Sequence, residues 1–140
     1  MIEIRKIESL ESEDAKSAFA IRKIVFVQEQ EVDPELEWDE FEAESNHYLV
    51  LKDYQPVGTA RWRETTSGIK LERFAVLPEF RNQGIAGKIL ARVLEDVRPL
   101  GKKIYLNAQL RAVPLYERAG FVKQGETFFE ADIEHYYMEL

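Results

Sequence analysis

The segment from Ala75 to Lys88 contains the residues of this sequence that are best suited to chemistry. It joins an apolar run to an amphipathic helix through a turn of the pattern Arg-x-x-Gly-x-Ala, in which Arg81 and Gly84 are the fixed points. A helix that begins after Gly84 would present unpaired backbone N–H groups, and these donors and the helix dipole both favour an anion. Glycines keep side chains out of the approach, and an arginine can pair with phosphate oxygens. The segment therefore predicts a pyrophosphate site, with a purely structural helix cap as the alternative.

Two common phosphate-binding motifs do not fit this turn. A P-loop needs four residues between its first glycine and the Gly-Lys-Ser/Thr, whereas two residues separate Gly84 from Gly87, and Ile89 stands where the metal-binding hydroxyl would be. A dinucleotide fingerprint requires Gly-x-Gly-x-x-Gly near the start of a βαβ unit, and this turn follows a predicted antiparallel meander. A nucleoside triphosphate site and a Rossmann site are both disfavoured.

A second group of residues follows the helix. Asn107 ends a short apolar run, Tyr116 lies in a short helix, and the pair Gly120-Phe121 comes next. In their order and separation, the two segments resemble the GNAT N-acetyltransferase superfamily, whose motif A is a strand followed by Arg/Gln-x-x-Gly-x-Gly/Ala and whose next motif is strand, Asn, helix with Tyr, then Gly-Phe. The resemblance is good over residues 57–122 and looser at the ends. Residues 26–30 and 71–73 further resemble a subgroup of small bacterial predicted acetyltransferases.

The resemblance implies an N-acetyltransferase that uses acetyl-coenzyme A to acetylate a primary amine of a small substrate. The backbone of a central strand would then pair with the pantetheine amides, the glycine turn would hold the pyrophosphate, and an asparagine would bond pantetheine. The cofactor-binding residues expected on this basis are Phe74, Ala75, Val76, Arg81, Asn82, Gln83, Gly84, Ile85, Ala86, Gly87 and Asn107.

Acetyl transfer from a thioester needs a proton for the departing thiolate and a neutral amine. Tyr116 is the candidate acid, because a phenol near pKa ~10 can donate to a thiolate near ~8.5, with a core tyrosine on the helix face as the alternative. An alkylammonium near pKa ~10.4 is mostly protonated at neutral pH, so a base or a water chain is useful. Glu72 is the first candidate for this base because it lies on the strand next to the proposed acyl site. His135 is the second and His47 is weaker, with a structural histidine as the alternative for both.

Composition restricts the other classes of protein. A chain of 140 residues with 45% hydrophobic residues predicts one domain over residues 1–140. The net charge of −7 disfavours nucleic acid as a partner. The absence of cysteine removes thiolate ligands, and two distant histidines give no support to a metal site. The sequence contains neither a recognisable secretory signal nor an apolar run of ~18 residues, so we expect a cytoplasmic protein with no membrane partner. A homodimer through edge strands is a further expectation.

Hydrophobic periodicity predicts the elements that must position these residues. The predicted strands are residues 2–6, 47–52, 57–64, 69–77 and 103–107, one that begins at Phe121 and Val122 and that Phe128 and Phe129 either extend or follow, and 135–140 at an edge or in the centre of the sheet. The predicted helices run from Ser9 or Ser12 to about Phe26, from 86 to 97, and from 112 to 119. This order predicts an α+β fold with a mixed, mostly antiparallel sheet flanked by helices, and the resemblance implies that its central strands splay apart.

The segment Glu29–Glu44 has nine acids among sixteen residues and no lysine or arginine. A solvated charged face is the common interpretation of such a run, and an acidic rim that attracts a cationic amine is the more specific one. Arg22 lies on an otherwise apolar helix face, where its guanidinium either snorkels to water or pairs with an acid.

Two rival functions are compatible with the sequence. One is an acyltransferase like the acyl-homoserine-lactone synthases, in which an early arginine, a nearby phenylalanine and acids after them matter, as Arg22, Phe26 and Asp39 would here. The other is a noncatalytic acyl-CoA-binding module.

Overall fold

The computed structural model describes residues 1–140, which form one seven-stranded sheet with helices against it. The strands are β1 (Ile2–Lys6), β2 (Asn46–Lys52), β3 (Gln55–Thr65), β4 (Gly68–Val76), β5 (Ile104–Gln109), β6 (Val122–Glu130) and β7 (Ile133–Glu139). The helices are α1 (Glu13–Arg22), which continues as a π-helical segment (Lys23–Glu29), α2 (Pro34–Glu37), α3 (Ile85–Val97) and α4 (Val113–Arg118). The strand order is β1-β2-β3-β4-β5-β7-β6, and only the β4–β5 pair is parallel.

The first helix begins where the sequence predicts and ends later. Ser12 accepts a hydrogen bond from the Ala15 N–H at 3.1 Å and so caps the first turn. The chain does not leave the helix at Phe26, because the helix widens into a π-helical segment in which the Gln30 N–H bonds the Val25 carbonyl. This extension carries the chain to Glu29, beside the turn that precedes α3.

Two apolar clusters lie on opposite faces of the sheet. Leu49 and Leu51 of β2 pack with α1, whereas Tyr48 and Val50 pack with α3, because successive side chains of a strand point to opposite faces. On its inner face, α3 buries six apolar side chains at helical spacing: Ile85, Ile89, Leu90, Val93, Leu94 and Val97. Each such side chain contributes about 1.5–3 kcal/mol on burial, so α3 and its N-terminus are firmly fixed on the sheet.

The parallel pair at the centre of the sheet is incomplete. Residues 69–71 of β4 pair with residues 104–106 of β5, and no pairing follows beyond Leu71 and Leu106. Past that point β4 pairs only with β3, and β5 only with β7. A slot therefore opens in the middle of the sheet, and the predicted α+β fold with splayed central strands is confirmed.

The last two strands refine the sequence-based prediction. Phe128 and Phe129 belong to the same strand as Val122, with an irregularity between Gln124 and Phe128. The strand that contains His135 lies between β5 and β6, so it is internal and β6 is the edge strand. No helix in the structure combines the length and the apolar character that crossing a membrane requires.

Candidate active site

A cavity of about 1260 Å³ follows the slot between β4 and β5, and we call it the cleft. At one end it reaches the turn before α3, and at the other it reaches the segment around α2. Most residues singled out in the sequence line it: Glu72, Phe74, Ala75, Val76, Arg81, Asn82, Gly84, Ile85, Ala86, Gly87, Asn107, Tyr116 and His135. Gln83 is outside the lining and accepts a hydrogen bond from Lys52 at 2.5 Å. His47 is also outside it.

The glycine turn leaves the N-terminus of α3 open. Gly84 is the N-cap residue, with φ of 79°, a left-handed conformation that glycine adopts at little cost. No side chain caps the first turn, so the N–H groups at its start lack partners within the helix. A Cβ added at Gly84 or Gly87 would meet no atom within 4 Å. The glycines therefore keep the space in front of the N-terminus of α3 clear of side chains, as a site for an anionic group requires. The open turn is compatible with a diphosphate.

Arg81 is committed to a protein partner. Its Nη1 and Nη2 donate to the two carboxylate oxygens of Glu29 at 2.7 and 2.6 Å, and its Nε donates to the Val76 carbonyl at 3.0 Å. The hydrogen bond from Arg81 lowers the pKa of Glu29. A phosphate would have to share or replace this carboxylate, so the phosphate-binding role of Arg81 stays a prediction.

The edge of β4 that faces the slot carries free backbone groups. Phe74, Ala75 and Val76 have no strand partner on the β5 side. A bulge precedes them, because the register with β3 shifts between Thr59 and Arg61, and Arg73 has a φ of 56°. Bulges of this kind re-aim the backbone, and here the bulge lies at the point where the slot begins. The free edge can therefore bond an extended ligand as a further strand would.

Tyr116 lies on α4 with its ring wedged between two phenylalanines. Its ring centroid is 6.2 Å from that of Phe74 and 5.8 Å from that of Phe121, both edge to face. Its hydroxyl makes no hydrogen bond within the protein, and the residue lines the cleft. Burial raises the pKa of Tyr116, so the phenol keeps its proton at neutral pH. Asn107, across the slot, donates weakly to Glu130 at 3.4 Å.

Glu72 is surrounded by cations. Its carboxylate lies 2.8 Å from Arg61, 2.8 Å from Arg63 and 3.3 Å from Lys70. Burial alone would raise the pKa of Glu72, but the three cations outweigh it and hold the pKa below its usual value. A carboxylate in these surroundings binds a proton weakly, so they disfavour Glu72 as the base.

His135 has a ring nitrogen available to the cleft. Nδ1 lies 2.6 Å from the Ile133 carbonyl, which assigns the proton to Nδ1 and the lone pair to Nε2. The ring stacks on Phe128, with centroids 5.8 Å apart. The other histidine, His47, bonds the Glu42 carbonyl at 2.8 Å, and burial lowers its pKa, so it is structural.

The acidic segment folds onto buried arginines. Glu37 and Glu42 bind Arg22, with Nε to Oε1 and Nη2 to Oε2 distances of 2.8 Å. Arg61, fully buried, binds Asp39 at 2.9 Å and Glu42 at 3.0 Å. We call these five residues, with Arg73, the ion-pair network. The acid-pairing alternative for Arg22 is thereby confirmed.

The ion-pair network changes the expected charge of the cleft. Despite burial, hydrogen bonds and charge from Arg61 lower the pKa of Asp39 to about 2. Burial raises the pKa of Glu37 in spite of Arg73 and Arg22 nearby. The acids of this segment that line the cleft, Glu37 and Asp39, are thus each paired with arginine and do not form an open acidic rim. Arg22 and Asp39, which the resemblance to acyl-homoserine-lactone synthases pointed to, both belong to this network. Arg22 binds Glu42, and Glu42 and Asp39 both bind Arg61.

Several residues at the α2 end of the cleft were not among the site residues expected from the sequence. Phe41, Arg63, Lys70 and Arg73 line the end near α2. The alternation of Arg61 and Arg63 on β3 with Lys70 and Glu72 on β4 was the available signal, since residues two apart on a strand share a face.

Comparison with known proteins agrees with this geometry. Residues 14–140 match the family model described as an acetyltransferase (GNAT) domain. A Bacillus subtilis protein named uncharacterized N-acetyltransferase YjcF is 42% identical over 129 residues, covering 90% of this chain and 91% of that protein. An acyl-CoA N-acyltransferase from Pseudomonas aeruginosa has the same fold, with a TM-score of 0.86, 24% identity and 99% of each chain covered. An Elizabethkingia anophelis GNAT family acetyltransferase solved with acetyl-CoA bound aligns with a TM-score of 0.71 and 19% identity over 99% of this chain and 94% of that one.

Proposed function

This chain belongs to the GNAT acetyltransferase family, and we propose that it transfers an acetyl group from acetyl-CoA to a primary amine of a small substrate. The observation that carries the proposal is the slot between β4 and β5, which leads from the open turn at Gly84 to the hydroxyl of Tyr116. A single continuous cleft thus offers an anion site at one end and a proton donor within it. We further propose that residues 1–140 act as one catalytic domain.

Coenzyme A binding is assigned to main-chain groups more than to side chains. The N–H groups of the turn from Gln83 to Gly87 would bind the diphosphate, since the space in front of Gly84 is clear. The free edge at residues 74–76 would pair with the pantetheine amides, and Asn107 would donate from the opposite wall. Arg81 would also bind the diphosphate, with its guanidinium shared between the phosphate oxygens and the Glu29 carboxylate.

The transfer itself requires alignment and two proton movements. The amine nitrogen attacks the thioester carbon, the new C–N bond forms, and the C–S bond then breaks to release the thiol. Tyr116 would donate the proton to the departing sulfur, because its buried phenol is neutral and lacks a protein hydrogen bond. Main-chain N–H groups after the β4 bulge would polarise the carbonyl.

The surroundings of Glu72, the first candidate from the sequence, favour His135 instead as the acceptor of the proton on the incoming amine. Glu72 faces three cations and has a lowered pKa, which favours a role in orienting those cations. His135 has a free Nε2 in the same cleft. We therefore propose His135, directly or through water, as the base.

An amine-panel assay tests the proposed function. Acetyl-CoA is mixed with the protein and each of a set of primary amines, and the released thiol is measured. We expect turnover with at least one amine, and no turnover when an acyl-carrier-protein donor replaces acetyl-CoA. Tight CoA binding with no thiol release across the panel would favour the noncatalytic module, and preference for the carrier-protein donor would favour the lactone-synthase-like reaction.

A further inference from the structure

Two cations lie side by side at the α2 end of the cleft. Arg63 of β3 and Lys70 of β4 are direct cross-strand partners, and both line the cleft. Their side chains are largely buried, with exposed fractions of 14% and 19%. Like charges directly opposite each other on a sheet are destabilising, so this pair requires a compensating anion.

The protein supplies only part of that compensation. The carboxylate of Glu72 contacts Arg63 through Nε at 2.8 Å and Lys70 through Nζ at 3.3 Å, and it is shared with Arg61 at 2.8 Å. Asp39 and Glu42 also bind Arg61, but neither makes an ion pair with Arg63 or Lys70. One shared carboxylate therefore serves two cations that face the cleft, and positive charge is left over.

Hydrogen-bond donors are left over as well. Arg63 donates only from Nε, so both of its terminal Nη groups are unused by the protein. Phe41 lies against the guanidinium, with Cζ 3.8 Å from the ring centroid, and fixes its plane. Lys70 has no partner beyond the ion pair with Glu72. A planar fork of N–H groups beside an ammonium is a suitable receptor for a carboxylate.

We propose that Arg63 and Lys70 bind a carboxylate on the acceptor, so the acceptor is an amine that also carries a carboxylate, as amino acids do. The inference rests on the proposed function, whose acceptor class it names. It replaces the expectation of a cationic acceptor, which rested on the acidic segment Glu29–Glu44. The acids of that segment that line the cleft, Glu37 and Asp39, are paired with arginines. A polyamine would add positive charge beside two under-compensated cations.

The test compares primary amines in matched pairs that differ only in a carboxylate or a carboxamide. Each amino acid of the set and its amide are assayed with acetyl-CoA, and the ratio of their kcat/KM values is the readout. For the best acceptor we expect a ratio of about 10 to 100 in favour of the carboxylate. Arg63→Gln combined with Lys70→Gln should reduce the ratio to near one without changing the Kd of CoA. The control is Lys102→Gln, which removes a surface lysine paired with Glu64 and should leave the ratio unchanged.

Three results would overturn the inference. One is a ratio near one in the unaltered protein for every acceptor that turns over. Another is a double variant in which both members of each pair lose activity equally, since that pattern marks a structural role. A preference for aminoalkyl phosphates over amino acids would likewise reject the carboxylate.

A binding measurement separates this inference from the proposed function. N-acetylated amino acids and their amides are titrated into the CoA-bound protein by calorimetry, without any reaction. Preferential binding of the acids, lost in the Arg63 and Lys70 double variant, supports the subsite even if no amine is acetylated. Absence of that preference rejects the subsite, whereas absence of turnover alone counts against the proposed acetyl transfer.

Discussion

Glu29 and Arg81 form a bidentate ion pair that joins the end of the π-helical segment to the turn before α3, with N to O distances of 2.6 and 2.7 Å. The two residues are 52 positions apart in sequence. The arginine predicted to bind phosphate is therefore already bound by a carboxylate at the mouth of the cleft, and a diphosphate bound as we propose would compete with Glu29 for it.

Removing the charge of Glu29 should strengthen CoA binding. In Glu29→Gln the guanidinium of Arg81 no longer has an anionic partner, so we expect the Kd for CoA to fall by roughly 3- to 10-fold. Calorimetric titration measures this, with Glu13→Gln as control, because Glu13 is exposed and paired only with Lys16. Weaker CoA binding in Glu29→Gln would instead mean that Glu29 holds Arg81 in its binding position.

Tyr116→Phe should reduce the rate of acetyl transfer and leave CoA binding unchanged. We expect kcat to fall by about 10²-fold or more, because a positioned proton donor contributes that much. The Kd for CoA and the Tm should change little, since the hydroxyl makes no hydrogen bond within the protein. Tyr54→Phe is the matched control at an exposed position. Equal kcat values in Tyr116→Phe and the unaltered protein would remove Tyr116 from the mechanism.

Turnover should distinguish the two candidate bases. His135→Gln should lower kcat/KM by about 10²-fold or more, because it removes the candidate acceptor Nε2. Glu72→Gln should retain most of the activity, and its main effect should be lower stability, since Arg61 is fully buried and loses a counter-ion. Unchanged kcat/KM in His135→Gln, together with a loss of about 10²-fold in a folded Glu72→Gln protein, would restore Glu72 as the base.

Stability should fall in acid because of the ion-pair network. The pKa of Asp39 is lowered to about 2, and the pKa values of Glu42 and of Glu72, which binds Arg61 of the network, are also lowered. Groups with a folded-state pKa below the unfolded value stabilise the protein above the unfolded value, and this stability is lost as pH falls from about 4.5 towards 2. Glu37 acts in the opposite sense, because its pKa is raised and the folded protein takes up its proton early. We expect a net loss of stability, because Asp39, Glu42 and Glu72 are each ion-paired with the fully buried Arg61, which loses these counter-ions in acid.

Thermal unfolding across this pH range checks the prediction. Asp39→Asn should lower the free energy of unfolding by about 2–3 kcal/mol at pH 7, since it removes the carboxylate whose pKa is lowered most. It should also flatten the fall of Tm below pH ~4.5. Asp33→Asn is a suitable control, because Asp33 caps the short helix α2 and has no ion pair. A Tm that is independent of pH down to about 3 would contradict this account of the network.

The sequence predicted local features far better than long-range ones. The turn at Gly84 and the apolar face of α3 follow from neighbouring residues, so composition and spacing were enough. The slot was anticipated only through resemblance, because strand pairing that stops at Leu71 leaves no mark in periodicity. The pairing of Glu42 with Arg22 and Arg61 joins residues from separate elements, and charge alone does not specify partners. For the same reason the sequence predicted an acidic rim as one alternative for this segment, although the fold pairs Glu37, Asp39 and Glu42 with buried arginines.

A titration with CoA tests the central claim, that main-chain groups at Gly84 hold the diphosphate. The variants are Gly84→Val and Gly101→Val, two glycines with φ of 79° and 68° where an added Cβ meets no atom within 4 Å. Backbone strain should therefore be similar in both, at about 1–2 kcal/mol, but only Gly84 lines the cleft. We predict that CoA binds the unaltered protein and Gly101→Val alike and binds Gly84→Val at least about 30-fold more weakly. Equal binding by the two variants, or no binding by the unaltered protein, would contradict the claim.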